Sequence, residues 1–170
     1  MAEYRELFTR LRRRGILVFA GLIFGLDADT DEYFRGLPAQ LDAVGPEVLL
    51  MSLAIPIPGT PWHRQVAAAG RVLDSDLSHY EGDHLVFRPN LVTPDRLLEA
   101  YRANNRHFFR WPGILARWVR YLKCQKGFGL LPDSLVRTMV STGIYFKLSV
   151  FQKHHARRRV FVAPAEEMSQ

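Results

Sequence analysis

The stretch Gly21 to Thr30 reads GLIFGLDADT, an apolar run that breaks at Gly25 and is followed at once by Asp27, Asp29 and Thr30. Carboxylates two residues apart, just past a buried strand, have two uses. They can act as nucleophile and proton carrier, or they can accept hydrogen bonds from the unpaired amides where a helix begins. A second such place is IPIPGTPW, Ile55 to Trp62, where another apolar run ends in a turn of three prolines and a glycine. His79, Asp83 and His84 bring the donor types of a metal site into one loop, and the same residues serve equally as hydrogen-bonded loop structure. Cys124 is the one cysteine of the chain, which excludes an internal disulfide and any self-contained iron-sulfur or four-cysteine zinc site.

The elements that must position these residues follow from hydrophobic periodicity. Tyr4, Leu7, Phe8 and Leu11 have helical spacing, so residues 2–14 read as an amphipathic helix closed by Gly15. The nearly continuous apolar run 16–24 predicts a parallel strand covered on both faces. Thr30 or Asp29 caps the next helix, with Asp29 and Glu32 at capping-box spacing, and Pro38 inside that helix predicts a kink. Gly45-Pro46 ends it, and residues 48–55 repeat the strand pattern, completing a strand–helix–strand unit. Thr60 and Pro61 then open a helix over 62–69. Residues 85–88 form a short strand, and Thr93-Pro94-Asp95 opens a helix with Leu97, Leu98, Tyr101, Asn105 and Phe108 on one face. Trp111-Pro112-Gly113 breaks it. Residues 114–125 predict an amphipathic basic helix, apolar along Leu115, Trp118, Val119 and Leu122 and basic along Arg117, Arg120 and Lys123; a longer helix is expected over 132–155.

Composition bounds the partners. The chain has 170 residues, 48% hydrophobic and 24% charged, the balance of a globular protein. Its N-terminus lacks the basic-then-apolar build of a signal peptide, and the apolar run 16–26 is shorter than the ~18 residues of a membrane span, so a cytoplasmic protein is expected. Charge is divided unevenly. Residues 1–101 hold ten Lys/Arg against fourteen Asp/Glu, whereas residues 102–159 hold thirteen against Asp133 alone. The second part, with Trp111, Trp118, Tyr121, Tyr145 and Phe146 among its cations, suits an anionic membrane surface. Nucleic acid is the weaker rival, since no recognised nucleic-acid motif accompanies the charge.

Two family resemblances bear on the aspartates. LIFGLDADT resembles the aspartate-nucleophile signature of haloacid-dehalogenase-like phosphatases, in which Asp27 would attack phosphorus and Asp29 would carry the proton. That chemistry needs a lysine for the phosphate, and none occurs before Lys123. More of the chain, residues 4–118, resembles the later part of B12-binding radical SAM enzymes. The resemblance rests on GLIFGLDADTDEYF, SLAIPIPGTPWHRQ and RVLDSDLSHYEGDHLVFRPNLVTPDRLLEAYR, and its most specific element is the P-G-T-P turn.

The resemblance implies an α/β fold: a partial (β/α) barrel fragment with parallel strands over 1–91, then a mostly helical, basic C-terminal extension over 92–170. It implies that Gly21 to Gly25 matches the start of a G-x-I-x-G-x-x-E motif, with Ala28 where the glutamate stands. Ile23, Gly25 and Asp27 would then line one side of an S-adenosylmethionine site, and Ala54, Ile55 and Pro56 would meet the adenine. The [4Fe-4S] cluster needs three thiolates that this chain lacks, so the resemblance implies a partial S-adenosylmethionine site on a C-terminal fragment. The cluster, and cobalamin as a candidate second cofactor, would belong to a missing N-terminal part of the enzyme. The competing expectation is a non-catalytic basic helical module that docks to a membrane surface or a partner protein.

Overall fold

The computed structural model describes residues 2–124, together with the single positions Gly143 and Lys147. The helix expected over 132–155, Tyr145 and Phe146 otherwise lie outside the described residues. Seven elements follow in order: α1 (Ala2–Arg13), β1 (Phe19–Phe24), α2 (Asp31–Val44), β2 (Val48–Leu53), α3 (Pro61–Ala68), α4 (Pro94–Phe108) and α5 (Trp111–Cys124). A single 3-10 turn, Leu77–His79, lies between α3 and α4.

Strands β1 and β2 form a two-stranded sheet. The Val48 amide donates to the Val18 carbonyl at 3.1 Å, and the Ala54 amide to the Phe24 carbonyl at 2.7 Å. Both bonds join residues thirty apart in the chain, and a constant offset is the mark of parallel pairing. The architecture is therefore mixed α/β with parallel strands. β1 is shorter than its apolar run because the Ile16 amide donates to the Leu11 carbonyl and is used in closing α1. Among the described residues, coverage on both faces is not found: Phe19 and Ile23 are 55% and 51% exposed, so one face of β1 is open. Residues 85–88 pair antiparallel with 71–73, through a Val72–Phe87 bridge.

The described residues fall into two compact units, each drawn from separate stretches of chain. The first comprises residues 1–21, 36–50 and 103–124. Its α1 packs on α5, and Val48 and Ile114 are buried together beneath Leu17 and Trp118. At its centre the fully buried Glu47 meets Arg12 Nε at 2.5 Å and accepts the Val18 amide at 3.0 Å. Arg12 also donates to the carbonyls of Val44 and Gly45 at the end of α2, and Arg120 donates to the same Gly45 carbonyl at 2.9 Å. Burial pushes the Glu47 carboxyl up from its ordinary range, while the Val18 amide, Arg12 and Arg120 pull it down.

Helix α5 buries only part of the apolar face read from periodicity: Trp118 packs on the core and Leu122 is partly buried. Ile114, Arg117 and Tyr121 point inward, whereas Leu115 and Val119 are 47% and 40% exposed. Arg117 tolerates this place because its guanidinium lies 3.7 Å from the centre of the Phe108 ring and donates to the Phe108 carbonyl at 2.7 Å. Tyr121 is held by a bond from its hydroxyl to the Gly15 carbonyl at 3.0 Å. The helix also begins earlier than expected, with Pro112 in its first turn, where no amide is needed.

In the second unit, residues 22–35 and 51–102, Phe24 is fully buried. It stacks on Phe34 of α2 at 5.5 Å and meets Tyr101 of α4 edge-on at 5.4 Å. The Tyr101 hydroxyl donates to the Met51 carbonyl at 3.1 Å. Each aromatic pair of this kind adds about 0.5–1.5 kcal/mol beyond the area it buries. The face predicted for α4 is the one observed, since Leu97, Leu98, Tyr101, Asn105 and Phe108 are all buried.

Removing one member of the buried pair in the first unit leaves the other charged and unsolvated. Glu47→Ala is expected to destabilise the chain by about 3–5 kcal/mol in denaturant unfolding, and Arg12→Met with Glu47→Leu to recover most of that loss.

Candidate functional site

The candidate site lies in the second unit, at the carboxyl ends of β1 and β2, and its geometry begins with Gly25. That residue has φ +96°, and a Cβ there would meet Leu97 Cδ2 at 3.0 Å and Phe87 Cζ at 3.6 Å. Only glycine fits both the backbone and the space. The chain turns sharply here, and Asp29 holds the turn. One of its carboxylate oxygens accepts the Gly25 amide at 2.8 Å and the Leu26 amide at 3.0 Å, and its own amide donates to the Leu26 carbonyl. Thr30 is the cap of α2, its hydroxyl accepting the Tyr33 amide at 3.2 Å.

Asp27 faces elsewhere. It accepts Trp62 Nε1 at 3.3 Å and Arg71 Nη1 at 2.9 Å, which ties the β1 loop to α3 and to the segment after it. The bond from Arg71 holds the Asp27 carboxyl below its ordinary range, against the opposing effect of its partial burial. Arg71 also donates to the Arg88 carbonyl, and Trp62 meets the buried Phe87 edge-on at 5.2 Å. A carboxylate committed to two donors is a strut, and attack on phosphorus would require breaking that pair.

At the end of β2, Ala54 and Pro56 are buried and Ile55 is partly exposed. Thr60 caps α3 by accepting the His63 amide at 3.2 Å, while its hydroxyl donates to the Ile57 carbonyl at 2.7 Å. The Leu53 amide, on the side of β2 away from β1, donates to the Gly82 carbonyl at 2.8 Å. Gly82 has φ +93°, and a Cβ there would come within 3.2 Å of Ser52, so the loop lies close along that edge.

The structure therefore brings Gly25 and Ala54 together at adjoining strand ends, with 3.9 Å between the Ala54 Cβ and the place of a Cβ on Gly25. Ile23 stands on the open face of β1, and Ile57 and Leu26 are exposed beyond the strand ends. Asp27 turns to Trp62 and Arg71 instead. Those two partners are absent from the sequence reading; the legible signal was an arginine directly after the Gly70 that stops α3. His79 and His84 stack at 4.6 Å, with His79 Nδ1 2.6 Å from Asp74 and His84 paired to Glu81. The bond to Asp74 raises the His79 pKa. Among the described residues no three His, Cys, Asp or Glu side chains are placed to hold a metal.

Against this geometry stand the comparisons with known proteins. The chain is similar to bacteriochlorophyllide d C-12(1)-methyltransferase of Chlorobaculum tepidum, 26% identical over 117 residues. The match takes in 69% of this chain and 25% of that enzyme, so the chain spans about a quarter of the relative's length. A methyltransferase-type relationship is supported at that distance. No protein-family profile matches the chain, and no solved structure does. No helix among the described residues is long and apolar enough to cross a membrane.

Because Arg71 keeps Asp27 ionised, the pair stabilises the fold at neutral pH, and that stability is lost as pH falls below about 4, the ordinary carboxylate pKa. Asp27→Asn is expected to lower stability at pH 7 by no more than about 1 kcal/mol, since the pair is partly exposed. The difference from the parent chain should shrink steadily in unfolding curves recorded at successively lower pH, as the Asp27 carboxyl takes up its proton below the ordinary carboxylate range.

Proposed function

We propose that the strand ends around Gly25 and Ala54 form part of the S-adenosylmethionine wall of a radical methyl-transfer enzyme, with β1 and β2 as neighbouring strands of its (β/α) barrel. The observation that carries this reading is the parallel pairing itself: two consecutive strands end side by side, with Ile23 open to one face. In barrel enzymes the strands' carboxyl ends are where ligands gather. An open apolar face of β1 is what a strand lining a barrel interior presents when its opposite wall is not among the described residues. The similarity to a methyltransferase supports the reaction class.

The residues present fit the nucleoside part of the cofactor. A purine is flat and neutral, and Ile23, Ile57 and Leu26 offer exposed apolar surface of the kind that takes its ring faces. Gly25 and Asp29 shape the loop, with the Gly25 amide already given to Asp29, so on this reading adenine is held by apolar contact more than by that amide. S-adenosylmethionine supplies the transferable methyl group or a carbon-centred radical. An iron-sulfur cluster does not fit this chain, whose single cysteine cannot provide three thiolates. Any cluster would belong to a polypeptide that completes the site.

S-adenosylhomocysteine titrated into the chain should shift the amide resonances of Gly25, Leu26 and Ala54, with the weak, near-millimolar affinity of a partial site. Ile23→Asp, an exposed substitution, should abolish those shifts without changing the melting temperature. Shifts confined to residues remote from these strand ends, or none at millimolar ligand, would refute the reading.

A further inference from the structure

Helix α5 carries its apolar ridge on the outside. Trp111, Leu115 and Val119 recur every fourth residue and are 50%, 47% and 40% exposed, while Arg117 of the same helix is 5% exposed. Of the apolar side read from periodicity, Trp118 packs on the unit's core, whereas Leu115 and Val119 are left outside it. Beside the ridge lies a cavity of about 380 Å³, lined by Arg110, Arg117, Arg120, Pro112, Ala116 and Asp42. Asp42 is engaged by His107 Nε2 at 3.0 Å and Arg110 Nη2 at 3.7 Å. Residues 102–124 contain six Lys/Arg and no acid.

We propose that this face of α5 docks on an anionic phospholipid surface. The ridge enters the boundary between headgroups and acyl chains, with Trp111 at the level of the headgroups, and Arg110 at the mouth of the cavity meets lipid phosphate. Arg110 and the exposed Lys123 flank the ridge and are the cations that reach the surface. Arg117 and Arg120, held by the carbonyls of Phe108 and Gly45, add to the field behind them. Charge and shape select this occupant. Two of the three ridge residues, Leu115 and Val119, provide neither a stacking plane nor a hydrogen bond for a nucleic-acid base, which leaves Trp111 as the ridge's one stacking ring where successive bases need several. A second copy of the chain would set two positive faces against each other.

The 170-residue chain is tested by flotation with vesicles of phosphatidylcholine alone and with about a quarter phosphatidylglycerol added. Binding is expected to be at least about tenfold tighter to the anionic vesicles and to weaken as salt rises. Leu115→Ser and Arg110→Glu, both at exposed positions, should each reduce it several-fold with unchanged circular dichroism and melting temperature. Equal binding to neutral vesicles overturns the proposal, as does full retention by Leu115→Ser. Release by inorganic phosphate, where chloride of equal ionic strength leaves the protein bound, assigns a free-phosphate site and overturns the docking. So does binding of an RNA oligonucleotide with no binding to vesicles.

Discussion

A parallel pair of strands has few backbone bonds and two apolar faces, so it persists only where other residues bury it. The described structure answers that constraint on one side. Phe24, at the end of β1, is enclosed by Phe34 and Tyr101, and the Tyr101 hydroxyl returns to β2 at Met51. The outer edge of β2 is used by the Gly82 carbonyl, which removes an unpaired amide where pairing with another chain could begin. The open face of β1 is left with Phe19 and Ile23. In the proposed function, the rest of a barrel would cover this face.

The first unit meets a different difficulty, because it buries charge. Glu47 is fully enclosed and lies where α1, the start of β1, the end of α2 and α5 converge. Its carboxylate joins Arg12 to the Val18 amide, and the Gly45 carbonyl receives both Arg12 and Arg120. Such a network adds little net stability compared with an apolar core, yet it admits one arrangement of its parts. Burying Arg117 against Phe108 has a related consequence, since the helix then turns its aliphatic residues outward.

Much of this was legible in the sequence where the signal was local. Thr60-Pro61 marked the start of α3, the spacing from Leu97 to Phe108 marked the buried face of α4, and the two apolar runs marked a parallel pair. Asp29 and Thr30 were readable as loop and cap residues because their bonds reach only a few positions. What escaped depended on distant partners. The bonds from Arg71 and Trp62 to Asp27 span 44 and 35 residues, and no spacing rule carries them. The face of α5 was legible only in part, because periodicity assigns arginine to solvent, whereas an aromatic ring and a carbonyl made burial of Arg117 acceptable. The open face of β1 was equally invisible, since an apolar run does not tell whether its cover belongs to the same chain.

Native-state amide hydrogen exchange at Ala54 tests the central claim most directly. If β1 and β2 run side by side and end together, the Ala54 amide, bound to the Phe24 carbonyl, should exchange only through opening of the unit, among its slowest amides. An Ala54 amide exchanging as fast as those of the loop after α3 would mean that the strand ends are not joined, and the shared ligand wall built on them would have to be given up.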